Sequence, residues 1–196
     1  SGMSHEIPVT RDDHFTGYIR REQGGALIGL YDTHAPKPKW VDGCPWESES
    51  ELFEPDWEAI TPWLERCFQR CPSLTARGIK RVVNGAITYS PDGAPLLGPA
   101  IGLKNYWLAC GATVGIAWGP GAGKYLAQWM VHGSADISTR AFDPRRFGPW
   151  ADRDYAVTRA TEDYATRLSL PYPQDPRRGA QPGRLVEQPL DEHPAA

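Results

Sequence analysis

The stretch GIAWGPGAGKYLAQW, Gly115–Trp129, decides how the chain is read. A phosphate-binding P-loop needs G-x-x-x-x-G-K-[ST], so that backbone N–H groups surround the phosphates and a hydroxyl holds Mg²⁺. Here Gly119 stands one position too close to Gly123-Lys124, and Tyr125 occupies the hydroxyl position. The spacing therefore argues against a P-loop. Gly119, Gly121 and Gly123 precede Lys124–Val131, a good helical run that Gly133 can stop. A helix start offers unpaired N–H groups and a positive dipole end. Without side chains, something flat or anionic can come close to the backbone. A tight strand-to-helix turn with close packing is the other reading, and this stretch alone leaves both open.

Around it the chain reads as a folded protein of modest size. Its 196 residues suffice for one sizeable domain or two small ones. The net charge of −3 implies no broad basic surface, so nucleic acid is not an expected partner. Eight Trp and eight Tyr suit a chain that buries large rings, while 19 Pro and 20 Gly predict many turns and few long helices. The four cysteines, Cys44, Cys67, Cys71 and Cys110, form no disulfide framework. Cys67 and Cys71 lie four apart with no neighbouring histidine, which favours packed thiols over a metal site. The five histidines are scattered, and no metal or triad arrangement is expected. No signal peptide or membrane-spanning run is read, so the expectation is a soluble cytoplasmic protein. Ser1-Gly2 ahead of Met3 reads as a remnant of tag removal.

Along the chain, Tyr18-Ile19-Arg20 and Ala26–Tyr31 are strand-like, with Gly24-Gly25 between them, and predict a hairpin. In EPDWEAITPWLERCFQRC, Trp57, Ile60, Leu64, Cys67, Phe68 and Cys71 fall on one helical face. Pro62 predicts a split there into two short helices, with Thr61 as the second N-cap. GIKRVVNGAITYS reads as a strand. NYWLACG reads as a strand buried on both faces, because its apolar run does not alternate. A further helix is expected over roughly 152–168, and from Pro171 onward a Pro-, Arg- and Gly-rich tail that wraps on something or is disordered. The order of elements suggests an α+β fold: mainly antiparallel sheet with packed helices, and one strand–helix unit. No G-x-G-x-x-G follows an N-terminal strand.

RVVNGAITYSPDGAPLLGPAIGLKNYWLACGATVGIAWGPGAGKYLAQWMVHG, followed by FDPRRFGPW, resembles the dimethylglycine and sarcosine dehydrogenase family, flavoenzymes of the D-amino-acid-oxidase-like superfamily. The resemblance runs from about Glu6 to about Arg184. It implies FAD as cofactor and oxidative N-demethylation of dimethylglycine- or sarcosine-like amines. It implies that the helix start faces the pyrimidine edge of the flavin, where negative charge develops on reduction, a fit for a dipole end and backbone donors. Gly115, Ile116, Ala117 and Trp118 would then approach the ring, and Gly119, Gly121 and Gly123 would shape the turn. Where the family usually has Gln and Gly, this chain has Trp118 and Pro120: the first adds bulk and the second removes a donor. Arg81 is placed by the resemblance near the substrate cavity, as a partner for a substrate carboxylate or as an exposed strand arginine. Tyr89 would line that cavity or sit in the core. Asp92-Gly93 reads as a turn. No catalytic residue is assigned.

The family's G-x-G-x-x-G and its flavin-attaching histidine have no counterpart here. The chain is therefore expected to be a partial FAD-dependent amine oxidoreductase fold lacking the dinucleotide-binding Rossmann half. Residues 4–140 would be the C-terminal part of the flavin domain, and residues 141–196 the start of the family's middle region. Its expected partner is a polypeptide carrying the Rossmann FAD-binding half, or a second copy of itself. The alternative is a non-catalytic interaction module that oligomerises through an open apolar face and ignores flavin.

Overall fold

Gly17 and Gly29 let a hairpin close around two aromatic rings. A Cβ at Gly17 would meet the Gly29 carbonyl and the Phe15 ring, and one at Gly29 would run into Tyr18. In the computed structural model, which describes residues 7–49 and 52–167, β1 (Thr10–Asp12), β2 (Gly17–Glu22) and β3 (Gly25–Leu30) form an antiparallel sheet in that order. Its register sets Ile19 opposite Ile28 on one face and Tyr18 opposite Gly29 on the other. The predicted hairpin is present, with its turn one residue early: Gly25 already pairs with Glu22, and Gln23 takes the left-handed φ of 49°.

The Ile19 face packs on α1 (Trp57–Arg70), giving a core of Phe15, Ile19 and Cys67 flanked by Ala26, Ile28, Leu30, Cys71 and Leu74. Asp56 caps α1 by accepting from the Ala59 N–H at 3.2 Å. The expected break at Pro62 does not occur; α1 runs through it as one helix. Proline removes only its own hydrogen bond and clashes with the preceding turn, at a cost of about 3 kcal/mol. Trp63, 4% exposed, and Cys67, fully buried, hold the helix together across it. His34 stacks on Trp63 at 4.8 Å, and the Arg66 guanidinium lies 4.9 Å from the same ring. Trp57, expected on the core face, is instead exposed, and Trp63 takes that role.

Two smaller antiparallel pairs follow. β4 (Leu52–Phe53) pairs with β5 (Asn84–Gly85), and β6 (Leu96–Pro99) with β7 (Trp107–Cys110). The long strand expected over GIKRVVNGAITYS is thus reduced to two residues. A strand exists only where a neighbour supplies hydrogen bonds, and among the described residues only Asn84 and Gly85 find one; Ile79, Val83 and Ile87 are exposed. β7 is not buried on both faces as expected: Trp107 and Leu108 are half-buried, Ala109 and Cys110 exposed. It belongs to a two-stranded ribbon, with no neighbour beyond β6 among the described residues.

α2 (Gly115–His132) follows β7, and α3 (Arg153–Arg167) is capped by Asp152, which accepts from the Tyr155 N–H at 2.8 Å. The described residues fall into two compact units, one made of 7–39, 44–86 and 165–167, the other of 40–43 and 87–164. The sheet β1–β3, α1 and the β4–β5 pair belong to the first; the β6–β7 ribbon and α2 belong to the second. The architecture is mixed helix and antiparallel sheet, as expected, but with three small sheets in place of one. The expectation for the tail beyond Pro171 lies outside the described residues.

Candidate functional site

The glycine-rich stretch is not a loop. α2 begins at Gly115, so Gly119, Gly121 and Gly123 lie inside the helix and none takes a positive φ. They do not shape a turn before it. Relative to alanine, the glycines and Pro120 in these first turns cost a free helix about 5 kcal/mol. Val114, the N-cap residue, adds no side-chain hydrogen bond. The helix start must therefore be held by what packs against it. At the other end Gly133 stops α2 as expected, with φ 78° and its N–H on the Trp129 carbonyl at 2.9 Å.

α2 has two unlike faces. Trp118, Ala122, Tyr125, Leu126 and Trp129 are half-buried. Trp118 lies 6.4 Å from the Phe142 ring, and Trp129 meets the edge of Trp107 at 5.7 Å. Trp129 and Pro144 also close on Gly98, where an added Cβ would lie 2.7 Å from the Trp129 ring and 3.1 Å from Pro144. The opposite face carries Ile116, Ala117, Pro120, Gly123, Lys124, Ala127 and Val131, all exposed, and Gly115 and Gly119 are exposed at the edge of the inner row. Ile116 is 99% exposed and Val131 75%. Lys124 is the one charged residue in that row. An ordinary surface helix carries charged and polar residues there. A Cβ added at Gly115, Gly119, Gly121 or Gly123 would meet nothing within 4 Å, so a flat surface can reach the backbone.

The N-terminal end suits an electron-rich edge. The first hydrogen bond recorded across it is from the Trp118 N–H to the Val114 carbonyl at 3.1 Å. The N–H groups of Gly115, Ile116 and Ala117 precede it, where an α-helix has no internal acceptors. No acidic side chain sits in the first turn. Backbone donors at a positive dipole end, with no carboxylate to oppose them, fit the pyrimidine edge of a flavin. Pro120 lies beyond the first turn and removes none of these donors. The Trp118 ring packs on Phe142 and not on the open face, so its bulk is absorbed on the inner side.

The other expected site residues are placed less closely. Tyr89 is half-buried and meets Tyr164 edge-on at 5.3 Å. The Thr113 hydroxyl, just ahead of α2, donates to the Thr88 carbonyl at 3.1 Å, which ties the Tyr89 segment to the helix approach. Arg81 belongs to the other compact unit, is exposed and lies outside any strand. Asp92-Gly93 is a turn, as expected, with Gly93 N–H on the Ser90 carbonyl at 3.0 Å.

That turn also makes a joint that no motif announces. Arg146, in the short 3-10 turn Pro144–Arg146, donates from Nε and Nη2 to the two Asp92 oxygens at 2.7 and 2.9 Å, and from Nη2 to the Ala94 carbonyl at 3.0 Å. The Ser90 hydroxyl and Ala94 N–H approach Asp92 Oδ1, each at 3.1 Å. Burial pulls the Asp92 carboxyl up, but the Arg146 hydrogen bonds and charge, with Ala94 and Ser90, outweigh it and leave the carboxyl below its ordinary value. The Leu97 N–H completes the joint by donating to the Phe142 carbonyl at 2.8 Å. An Asp-Gly turn and an Arg-Arg pair 54 residues apart carry no mutual signal in the sequence. Among the described residues, no group of three or more His, Cys, Asp and Glu is placed to hold a metal ion.

Comparison with known proteins gives the family. Residues 2–129 match the FAD dependent oxidoreductase family, and residues 132–185 match the FAD dependent oxidoreductase central domain. The chain is 37% identical over 188 residues to mitochondrial dimethylglycine dehydrogenase of Rattus norvegicus, covering 94% of this chain and 22% of the relative. It is 32% identical over 177 residues to mitochondrial sarcosine dehydrogenase of Homo sapiens, covering 86% of this chain and 18% of the relative. The chain thus spans about a fifth of the length of these relatives. L-proline dehydrogenase from P. horikoshii shares the fold, with a TM-score of 0.51 at 22% identity over 67% of this chain and 32% of that one. No helix among the described residues is long and apolar enough to cross a membrane. The chain belongs to the FAD-dependent oxidoreductase family, is related within it to the dimethylglycine and sarcosine dehydrogenases, and by that membership has FAD as its implied cofactor.

Proposed function

We propose that this chain is one portion of an FAD-dependent oxidoreductase that N-demethylates dimethylglycine- or sarcosine-like amines. In this reading it acts only with a dinucleotide-binding half, supplied by further sequence of the same protein or by a partner polypeptide. Residues 4–140 are then the end of the flavin domain and 141–196 the start of the middle region. A cytoplasmic location belongs to the same proposal, and cell fractionation tests it. The observation that carries the reading is the outer face of α2, an exposed row of small and apolar residues broken by one lysine. An exposed row of this kind marks a surface that another group covers.

When bound, FAD would supply the two-electron acceptor for oxidation of the N-methyl carbon, whose hydrolysis would give formaldehyde and the demethylated amine. The chain's own share is positioning. The N–H groups of Gly115, Ile116 and Ala117 would stabilise charge at the flavin edge, while Gly119, Gly121 and Gly123 would keep the backbone approachable. Arg81 is the candidate partner of a substrate carboxylate, and Tyr89, separately, a candidate for a cavity wall. Exposed, with no ion pair recorded among the described residues, Arg81 suits that task.

The test is a visible spectrum of the chain alone, and of the chain combined with a dinucleotide-binding half and FAD, each after desalting. The expected result is a colourless chain and a yellow complex that releases formaldehyde from sarcosine or dimethylglycine. A chain that forms a stable homo-oligomer and never retains flavin, even with that half present, overturns the proposal in favour of the interaction module.

A further inference from the structure

We propose that Arg146 is a positioning residue for the N-terminal turns of α2. It locks the segment Phe142–Arg146 in place as a splint for turns that cannot hold themselves. The inference deepens the proposed function only where flavin enters; its central test needs none.

The two halves of α2 differ in support. Residues Lys124–Val131 are good helix formers. They are further held by Trp129 against Trp107, by Gln128 donating to Asp136 at 2.6 Å, and by the Gly133 cap. Residues 115–122 have glycines, a proline and no side-chain cap. Ile116 projects into solvent, so Trp118 is the one large side chain of these turns that faces inward, and its ring contact is Phe142. Phe142 is held by the Leu97–Phe142 backbone bond and by the Phe142 N–H on the Thr139 carbonyl, both at 2.8 Å. Immediately after it, Asp143 caps the 3-10 turn by accepting from the Arg145 N–H at 2.8 Å. Arg146 fastens the far end. Its side chain is 15% exposed and spans Asp92 and Ala94 on one side and the Asp143 carbonyl, at 3.1 Å, on the other. A guanidinium making this many directed bonds fixes a position and an orientation, which a point charge does not.

Amide hydrogen exchange on the 196-residue chain tests this. In Arg146→Met, backbone amides of residues 118, 119 and 121–123 should exchange at least about tenfold faster, while those of 126–132 stay within about threefold of the unaltered chain. Arg146→Lys should recover part of that loss. In the complex with a dinucleotide-binding half, Arg146→Met should also shift the flavin absorption band. Unchanged exchange at 118, 119 and 121–123 overturns the inference. So does equal acceleration throughout α2 and the β6–β7 ribbon, which is what a purely structural role produces. If Arg146→Met does not fold, Phe142→Leu leaves the Arg146–Asp92 pair intact, thins the contact with Trp118 and carries the same test. Failure of the flavin shift alone, with the exchange pattern as expected, counts against the proposed function and not against the splint.

Discussion

Gly98 shows what a single residue decides here. It sits at φ 144° in β6, under the Trp129 ring and beside Pro144. A methyl group has nowhere to go, and the backbone conformation disfavours one as well. Gly98→Ala should therefore cost about 2–4 kcal/mol, measured by urea denaturation, with loss of near-ultraviolet signal from Trp107 and Trp129. The cysteines separate on burial. Cys67 is fully buried, and burial, then the neighbouring Cys71 and Asp12, push its thiol up to about 11. Cys44 and Cys110 are exposed. A thiol reagent at pH 8 should modify Cys44 and Cys110 in the native chain and reach Cys67 only on unfolding, because the thiolate is the nucleophile. Mass spectrometry of the labelled peptides reads the outcome. Packing of Cys67 is legible from its spacing on an apolar helical face; the role of Gly98 is not, because the ring that fills its space lies 31 positions away in sequence.

At the scale of elements, propensity and packing compete, and packing wins in both α1 and α2. α1 carries Pro62 in its interior, held by Trp63 and Cys67. Pro62→Ala restores an N–H opposite the Glu58 carbonyl and relieves the clash, at an exposed position. It should stabilise the protein by about 1–3 kcal/mol, seen as a higher unfolding midpoint in urea with an unchanged slope. α2 contains glycine and proline enough to predict a loop, so local pattern alone starts the helix at Lys124. The inner-face contacts of Trp118 and Trp129 carry helix back to Gly115. Elements whose neighbours lie nearby in sequence, such as the β2–β3 hairpin and α3, are legible in place and type. The strand expected over GIKRVVNGAITYS is not realised, because alternation reports what a face prefers, not whether a neighbouring strand exists to pair with it.

Each of the two units is tied internally by carboxylates, and that sets the response to acid. Asp12 and Asp56 in one unit, Asp92 and Asp143 in the other, all lie below their ordinary value of 3.8. The leading causes are the His14 N–H for Asp12, Lys37 for Asp56 and Arg145 for Asp143. For Asp92 burial acts first and upward, and the hydrogen bonds with Arg146, Ala94 and Ser90 reverse it. A carboxyl lowered in the folded state stabilises above its unfolded value and loses that contribution as pH falls through the folded one. The thermal midpoint should therefore not fall on this account between pH 7 and 5, and should drop below about pH 3.8, where the unfolded chain begins to bind protons first. In Asp92→Asn the acid-dependent part of that drop should be smaller, with the neutral-pH midpoint already reduced. A midpoint unaffected by acid down to about pH 2.5 would sink this account.

By itself the sequence determined the family, the implied cofactor, the hairpin and the existence of the main helices. These rest on local order: ordered motifs, periodicity and turn residues that keep their meaning wherever the chain travels. Only the tertiary structure decided that the glycines lie within α2, that α1 crosses Pro62 unbroken, and that Arg146 joins Asp92 to the segment under Trp118. Each is a balance between a local preference and a contact from distant sequence. The distant contact outweighs the local preference, and it has no address until the chain has folded.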